Sequence, residues 1–126
     1  MPAEYTLTKE APAPLPGIAV RAGNYVYCSG SVGMTKDGQM VEGTIQDRTR
    51  QILGNLEEVL KGSGMTLGNV VKANVYLSKL SQDFHTFNEV WKEVMPEPKP
   101  ARTCIGVASR RHRRGNRVRG LRRLCK

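Results

Sequence analysis

Cysteines and histidines are scarce in this chain, and long apolar runs are absent. Cys28, Cys104 and Cys125 are widely spaced and form no CxxC or Cys/His ligand pattern, so we expect reduced thiols and no bound metal. No apolar run approaches the ~18 residues of a membrane span, and the N-terminus lacks the basic-then-apolar layout of a signal peptide. We therefore expect a soluble protein inside the cell with no membrane partner.

Acidic residues are absent from the last 18 residues. The first 108 residues hold all 11 Asp and Glu and 11 of the 20 Lys and Arg, so their charges sum to zero. The other nine cations lie in residues 109–126 and account for the whole net charge of +9. Because the neutral body has no basic stripe with interleaved aromatics, we expect any RNA binding to involve the basic tail only.

Turn, capping and apolar patterns predict one domain over residues 1–108 with the element order β-β-α-β-α-β. Residues 1–17 contain four prolines and are predicted to be irregular. Strands are predicted at 18–20, 25–28 and 70–77 and after Pro100, with a hairpin or a bulged pair around Ala22-Gly23-Asn24 and a tight turn at Lys36-Asp37-Gly38. Helices are predicted from the N-cap Thr44 to the stop at Gly62, and over 82–94.

Both predicted helices are apolar on one side only. The stripe of the first comprises Ile45, Thr49, Ile52, Leu53, Leu56, Val59 and Leu60, and that of the second Phe84, Phe87, Trp91 and Val94. One-sided helices covering a sheet predict an α+β sandwich whose second sheet face, with Tyr25, Tyr27, Val70 and Tyr76, needs other cover. This favours an oligomer.

The stretch from Pro96 to Val107 is the best candidate for a binding site. Prolines at 96, 98 and 100 end the second helix and hold an extended lead-in. Alternation then predicts a strand that buries Thr103, Ile105 and Val107. Arg102, at the mouth of that strand, presents a guanidinium fork suited to a carboxylate. The simpler alternative is an arginine that faces solvent.

Five segments match one known family in order, over residues 24 to 108. They are Tyr25-Val-Tyr-Cys-Ser-Gly30, Gln51-Ile-Leu-Gly-Asn-Leu56, Gly64-Met-Thr-Leu-Gly-Asn-Val-Val-Lys-Ala-Asn-Val-Tyr-Leu77, Phe84-His-Thr-Phe-Asn88 and Pro100-Ala-Arg-Thr-Cys104. The most specific feature is Pro-Ala-Arg-[Ser/Thr]-Cys at the right distance from Phe-x-x-x-Asn. With these segments the chain resembles the Rid (reactive intermediate, or enamine/imine, deaminase) family, also called YjgF or L-PSP endoribonuclease-like.

The resemblance implies a chorismate-mutase-like (Bacillus type) α+β sandwich, with two helices on one face of a mixed sheet. It also implies a homotrimer with a central barrel and active sites in the three clefts between subunits. The implied reaction is hydrolysis of 2-imino acids, formed from reactive enamines such as 2-aminoacrylate, to 2-keto acids and ammonia. No metal or organic cofactor is implied, and the expected compartment is the cytoplasm, with the mitochondrion as the alternative.

The same resemblance suggests roles for five residues. Arg102 would bind the substrate carboxylate and fix the imine carbon for attack by water. Backbone groups at Ser29-Gly30 and around Cys104 would hold the nitrogen end and an ordered water, and the Asn88 amide would shape the cleft near a neighbouring subunit. A nucleophilic Cys104 is less favoured, since no histidine is placed to activate it.

Two other functions remain open at this point. One is an RNA-binding or endoribonuclease-type translation inhibitor, which the older family name and the basic tail both suggest. The other is a non-catalytic trimer that binds small carboxylates at Arg102. RNA affinity would then depend on residues 109–126, whereas the two carboxylate functions would depend on Arg102 and differ only in turnover.

The chain departs from the family pattern at both ends. A Gly-Pro-Tyr-Ser-Gln-type segment is missing before the first strand, and the basic tail replaces a last strand of the Val-Glu-Ile-Glu-Cys type. The second Glu of that strand is credited with handling the attacking water. With Arg as CGN codons, reading residues 112–120 one base later permits Thr-Asp-Val-Glu-Ile-Glu-Cys-Val-Ala. We therefore hypothesise a frameshift, which sequencing of the bases opposite His112, Asn116 and Val118 would test.

Overall fold

The structure, a computed structural model, describes residues 3–8 and 17–108. Within them the chain forms β1 (Glu4–Thr8), β2 (Gly17–Ala22), β3 (Tyr25–Cys28), α1 (Ile45–Gly62), β4 (Lys72–Leu77), α2 (Leu80–Val94) and β5 (Ala101–Gly106). A single turn of 3-10 helix at Leu67–Asn69 precedes β4. The predicted α+β class with two helices is confirmed, whereas the predictions for the tail lie outside the described residues.

Two ladders of hydrogen bonds organise the strands. The first is an antiparallel sheet in the order β1-β2-β3, and the second is the parallel pair β4-β5. The two-residue turn that joins β2 to β3 has Gly23 at φ 62°, a conformation that favours glycine, and the predicted hairpin is confirmed. One hydrophobic core, whose members include Ala19 and Cys28 from the first sheet and Val75 from the second, joins both sheets to α1 and α2.

The strand β1 was missed by the sequence analysis. Residues 1–17 were predicted to be irregular because of their prolines, yet Glu4–Thr8 pairs antiparallel with Gly17–Ala22, and Tyr5 lies opposite Val20. The prolines that prompted the prediction lie at 2, 12, 14 and 16, outside the strand. Because the residues that pair with β1 lie nine to 17 positions further along the chain, local composition did not reveal the pairing.

Helix α1 begins at the predicted cap. Thr44 Oγ1 accepts a hydrogen bond from Asp47 N at 3.2 Å, and Asp47 Oδ2 accepts one from Thr44 N at 3.1 Å. This capping box satisfies backbone donors that the first helical turn leaves without partners. Two hydrogen bonds donated to the Asp47 carboxylate, the stronger effect from Thr44 N and the weaker from Thr44 Oγ1 at 3.0 Å, hold the pKa of Asp47 below its ordinary value.

The buried face of α1 contains one polar residue that the apolar pattern did not include. Asn55 is 3% exposed. Its Nδ2 donates to Val32 O at 3.1 Å and to Met34 O at 2.8 Å, while its Oδ1 accepts from Gln51 Nε2 at 2.8 Å. Asn55 therefore fixes the loop after β3 against α1.

The strand β4 begins two residues later than predicted. The 3-10 turn takes up Val70, whose N–H donates to Leu67 O at 3.2 Å. Ala73, Val75 and Leu77 are buried, but Val71 precedes the strand and is 63% exposed. Neither described helix is long and apolar enough to cross a membrane.

Candidate functional site

The strand β5 exists where it was predicted, but it presents the opposite face to the core. Thr103 and Ile105 are exposed, whereas Arg102 and Cys104 are partly buried and lie opposite Ala73 and Val75 of β4. The prediction that Thr103 and Ile105 form the buried face is therefore wrong. The physical reason is that α2 supplies aromatic and amide partners for Arg102, and these partners draw its side chain inward.

Arg102 makes contact with three residues of α2. Its Nη2 donates to Asn88 Oδ1 at 2.7 Å, and its guanidinium carbon lies 5.2 Å from the ring centroid of Trp91 and 5.6 Å from that of Phe87. Phe87 is fully buried and Trp91 is 5% exposed. The alternative in which Arg102 merely faces solvent is therefore not what the structure contains.

Local structure at the end of α2 determines where Arg102 lies along β5. The prolines end α2 at Val94, and Lys99 then folds back so that its Nζ donates to Lys92 O at 2.9 Å and to Met95 O. Ala101 N donates to Val71 O at 3.1 Å and starts the parallel ladder. The lead-in is thus tied to α2 at one end and to β4 at the other, which sets Arg102 beside α2.

Cys104 lies two residues beyond Arg102 on the same face. Burial raises the pKa of its thiol, and the positive charge of Arg102 lowers it by a smaller amount. A thiol with a raised pKa is mostly protonated at neutral pH and is a poor nucleophile. His85 is exposed, and its ring centroid lies 5.7 Å from that of Phe84, so it is not placed to activate Cys104.

Ser29 and Gly30 lie apart from this cluster. They follow β3, in the antiparallel sheet, and both are exposed. Across the described ranges, no hydrogen bond joins either residue to Arg102, Asn88 or Cys104. Three of the five predicted site residues, Arg102, Cys104 and Asn88, therefore lie together on β5 and α2, whereas the other two lie in the loop after β3.

Two surface pockets are formed by other parts of the chain. One, of about 400 Å³, lies between the start of α1 and the start of α2 and is lined mainly by polar residues such as Arg48 and Gln82. The other, of about 370 Å³, lies between β3 and β4 over Leu56 and Leu60. Arg102 lines neither of these two pockets.

Among the described residues, large apolar side chains are exposed on the outward faces of the sheets and just before β4. The exposed ones are Tyr5, Tyr25, Tyr27, Val71 and Ile105, with exposures of 72, 61, 42, 63 and 44%. Tyr25 and Tyr27 were predicted to lie on this second face. Val70, also assigned to it, instead packs against the core. An apolar surface of this kind is typical of an interface.

The apolar pattern did not reveal Phe87 and Trp91 as partners of Arg102. Both were identified, but only as members of the apolar stripe of the second helix. The signal that could have found them is the position of Asn88 between them, because residues i, i+1 and i+4 lie on adjoining parts of a helix surface. An arginine packed against that surface meets the amide and both rings together.

Comparisons with known proteins agree on one family. The model of the family described as Endoribonuclease L-PSP matches residues 8–113. "Protein mmf1, mitochondrial" of Schizosaccharomyces pombe is 45% identical over 89 residues, covering 71% of this chain and 54% of mmf1. The chain thus spans little more than half the length of that relative.

Two further proteins show the same similarity. The "2-iminobutanoate/2-iminopropanoate deaminase" of Dermatophagoides farinae is 41% identical over 91 residues, which cover 71% of this chain and 70% of that protein. The crystal structure of E. coli TdcF with bound serine superposes with a TM-score of 0.79 at 26% identity, covering 97% of this chain and 96% of TdcF.

Proposed function

The chain belongs to the Endoribonuclease L-PSP, or Rid, family, and we propose on this basis that it hydrolyses 2-imino acids to 2-keto acids and ammonia. The observation that carries the proposal is the fixed guanidinium of Arg102. Of its five N–H groups, one bonds to Asn88 Oδ1, which leaves four for a ligand. A carboxylate is the ligand whose two oxygens match that fork.

The proposed reaction needs one water molecule and no redox partner. Arg102 binds the carboxylate of the imino acid, which holds the adjacent C=N carbon in one place. Water adds to that carbon, the nitrogen takes up a proton, and the C–N bond breaks to release ammonia and leave the 2-keto acid. Backbone groups at Ser29-Gly30 and near Cys104 are the proposed holders of the nitrogen end and of the water.

We further propose that the active unit is a homotrimer. Ser29 and Gly30 follow a strand of the antiparallel sheet, whereas Arg102 lies in the parallel pair, and we propose that a second copy of the chain completes the cleft that contains all five residues. The exposed apolar side chains of Tyr27, Val71 and Ile105 are available for such contacts. The serine in the TdcF structure, a small carboxylate, supports a ligand of that size.

The decisive experiment measures keto-acid release from 2-iminopropionate generated in situ, with Arg102→Ala beside the native chain. We expect turnover by the native chain and at least about a 30-fold lower kcat/KM in the variant, since losing one partner of a desolvated charge pair costs about 2 kcal/mol or more. Arg50→Ala is the matched control, because Arg50 pairs with Glu93 at 2.7 Å on the exposed surface. Absence of turnover in a folded native sample would contradict the proposal.

Two alternative functions also have specific support. The E. coli TdcF structure holds serine, so a trimer that binds small carboxylates without turnover is one; it predicts Arg102-dependent binding of pyruvate and no keto-acid release. The family name and the nine cations of residues 109–126 support RNA binding. In that case deleting residues 109–126 would abolish an affinity that falls steeply with salt, whereas Arg102→Ala would leave it unchanged.

The compartment is part of the same proposal. The proposed reaction does not require a particular compartment, and we propose that the protein is in the cytoplasm or the mitochondrion. The mitochondrion is the compartment named for the fission-yeast relative. Fractionation of cells that express a tagged full-length chain would decide between them.

A further inference from the structure

The chain contains one tryptophan, and it lies beside the candidate carboxylate-binding arginine. The ring centroid of Trp91 is 5.2 Å from the guanidinium carbon of Arg102. Phe87, one helical turn earlier on α2, lies 5.6 Å from the same carbon, and the two ring centroids are 5.9 Å apart. Both distances to Arg102 are within the ~6 Å over which a cation is attracted to an aromatic face, and indole gives the strongest attraction.

Burial makes this contact more than incidental. Trp91 is 5% exposed and Phe87 is fully buried, so little water competes for the side of Arg102 that faces them. A cation–π contact is stronger where the cation is desolvated. An arginine side chain otherwise has many rotamers, and ordering it costs conformational entropy.

Three contacts together define one orientation of Arg102. The rings of Phe87 and Trp91 restrict the position of the guanidinium, and the Asn88 acceptor at 2.7 Å occupies one of its N–H groups. All three residues belong to the single helix α2, so one element supplies every contact that orients the guanidinium. The remaining N–H groups are then held ready for a ligand before it arrives, which lowers the cost of binding.

We propose that Trp91 is a positioning residue for Arg102: it holds the guanidinium in the orientation that binds a carboxylate, and its fluorescence reports that binding. The inference rests on the proposed role of Arg102 as the carboxylate anchor. The competing explanation is that Trp91 only fills the core, in which case any apolar side chain of similar size would serve Arg102 equally well.

The first test is a fluorescence titration of the native chain with pyruvate, with binding measured independently by calorimetry. Because Trp91 is the single tryptophan, its emission is not mixed with that of another indole. We expect a saturable change in emission whose midpoint matches the calorimetric Kd, and no change in Arg102→Ala. Pyruvate binding without any change in emission would overturn the reporter role, and no pyruvate binding by the folded native chain would overturn the whole inference.

The second test separates positioning from core filling. Trp91→Met and Trp91→Leu should raise the KM for 2-iminopropionate and the calorimetric Kd for pyruvate by about 3- to 30-fold, the range expected for a cation–π contact. Trp91→Phe and Trp91→Tyr keep an aromatic face and should stay within about threefold of the native values. Because the contact serves binding in the ground and transition states alike, kcat should change little.

The control is Val59→Ala, which removes core volume from α1 and leaves α2 unchanged. It should lower the unfolding midpoint without raising KM or Kd. Equal affinities in Trp91→Leu and the native chain, or an equal rise in Val59→Ala, would overturn the inference. If the native chain releases no keto acid but Trp91 emission responds to pyruvate only when Arg102 is present, the inference stands and the proposed reaction fails.

Discussion

Replacing Asn88 by aspartate changes the side-chain amide into a negatively charged carboxylate of the same shape. Asn88 Oδ1 accepts a hydrogen bond from Arg102 Nη2 at 2.7 Å, and an aspartate oxygen can accept the same bond. The variant should therefore fold, because an ion pair replaces the original hydrogen bond. Its new negative charge, however, lies next to the position at which we propose the carboxylate of the substrate.

The expected loss of affinity follows from Coulomb's law. Two unit charges about 6 Å apart interact by about 1.4 to 2.8 kcal/mol at an effective dielectric constant of about 20 to 40. That repulsion corresponds to a Kd for pyruvate about 10- to 100-fold higher in Asn88→Asp than in the native chain. Asn88→Ala adds no charge but leaves an N–H of Arg102 without its acceptor, so it should destabilise the fold by about 1 to 3 kcal/mol.

Asn88→Asp should thus lower the affinity for pyruvate without lowering stability, whereas Asn88→Ala should lower stability. Calorimetry with pyruvate and urea unfolding should show that Asn88→Asp binds more weakly while it unfolds near the native midpoint. Asn24→Asp places the same charge in the exposed β2–β3 turn and should change neither quantity. If Asn88→Asp binds pyruvate within twofold of the native chain, the carboxylate does not bind at Arg102 and the reasoning fails.

Four further predictions concern the scaffold and the thiol. Thr44→Ala removes the capping box and should lower the free energy of unfolding, measured in urea, by about 1 kcal/mol. Because the fold lowers the pKa of Asp47, the stability that this carboxylate contributes is present above the ordinary aspartate pKa and is lost as pH falls through the lower folded value. Asp47→Asn should therefore make the free energy of unfolding less dependent on pH in the acid range. An unchanged urea midpoint in Thr44→Ala would contradict the stabilising role of the capping box. Asn55→Leu leaves two loop carbonyls without donors and should cost about 2 to 4 kcal/mol, more than the exposed control Asn24→Leu. Since burial raises the pKa of Cys104, its alkylation by iodoacetamide, followed by peptide mass mapping, should reach half its maximal rate at a higher pH than that of a model cysteine peptide, and a midpoint at or below the peptide's would refute the assignment.

Features that depend on neighbouring residues were visible in the sequence. The Thr44–Asp47 cap, the turn at Gly23 and the stop that the prolines after Val94 impose are all made within a few residues of chain. Their hydrogen bonds and torsion angles are local, so residue type and spacing predict them. The ordered segments from Tyr25 to Cys104 also sufficed to identify the family, because they are a pattern in the sequence itself.

Features that depend on distant contacts were decided by the tertiary structure alone. Strand β1 exists because β2 pairs with it, and the residues of β1 do not reveal that partner. Alternation predicted the strand β5, but Thr103 and Ile105 were wrongly assigned to its buried face, because a period of two is the same for both faces. The orientation of β5 was decided by α2, whose two buried rings and Asn88 amide contact the side chain of Arg102. The alternation pattern had placed that side chain on the exposed face. Arg102 is a candidate site by its identity and position in the sequence, but its orientation comes from packing against Trp91, Phe87 and Asn88.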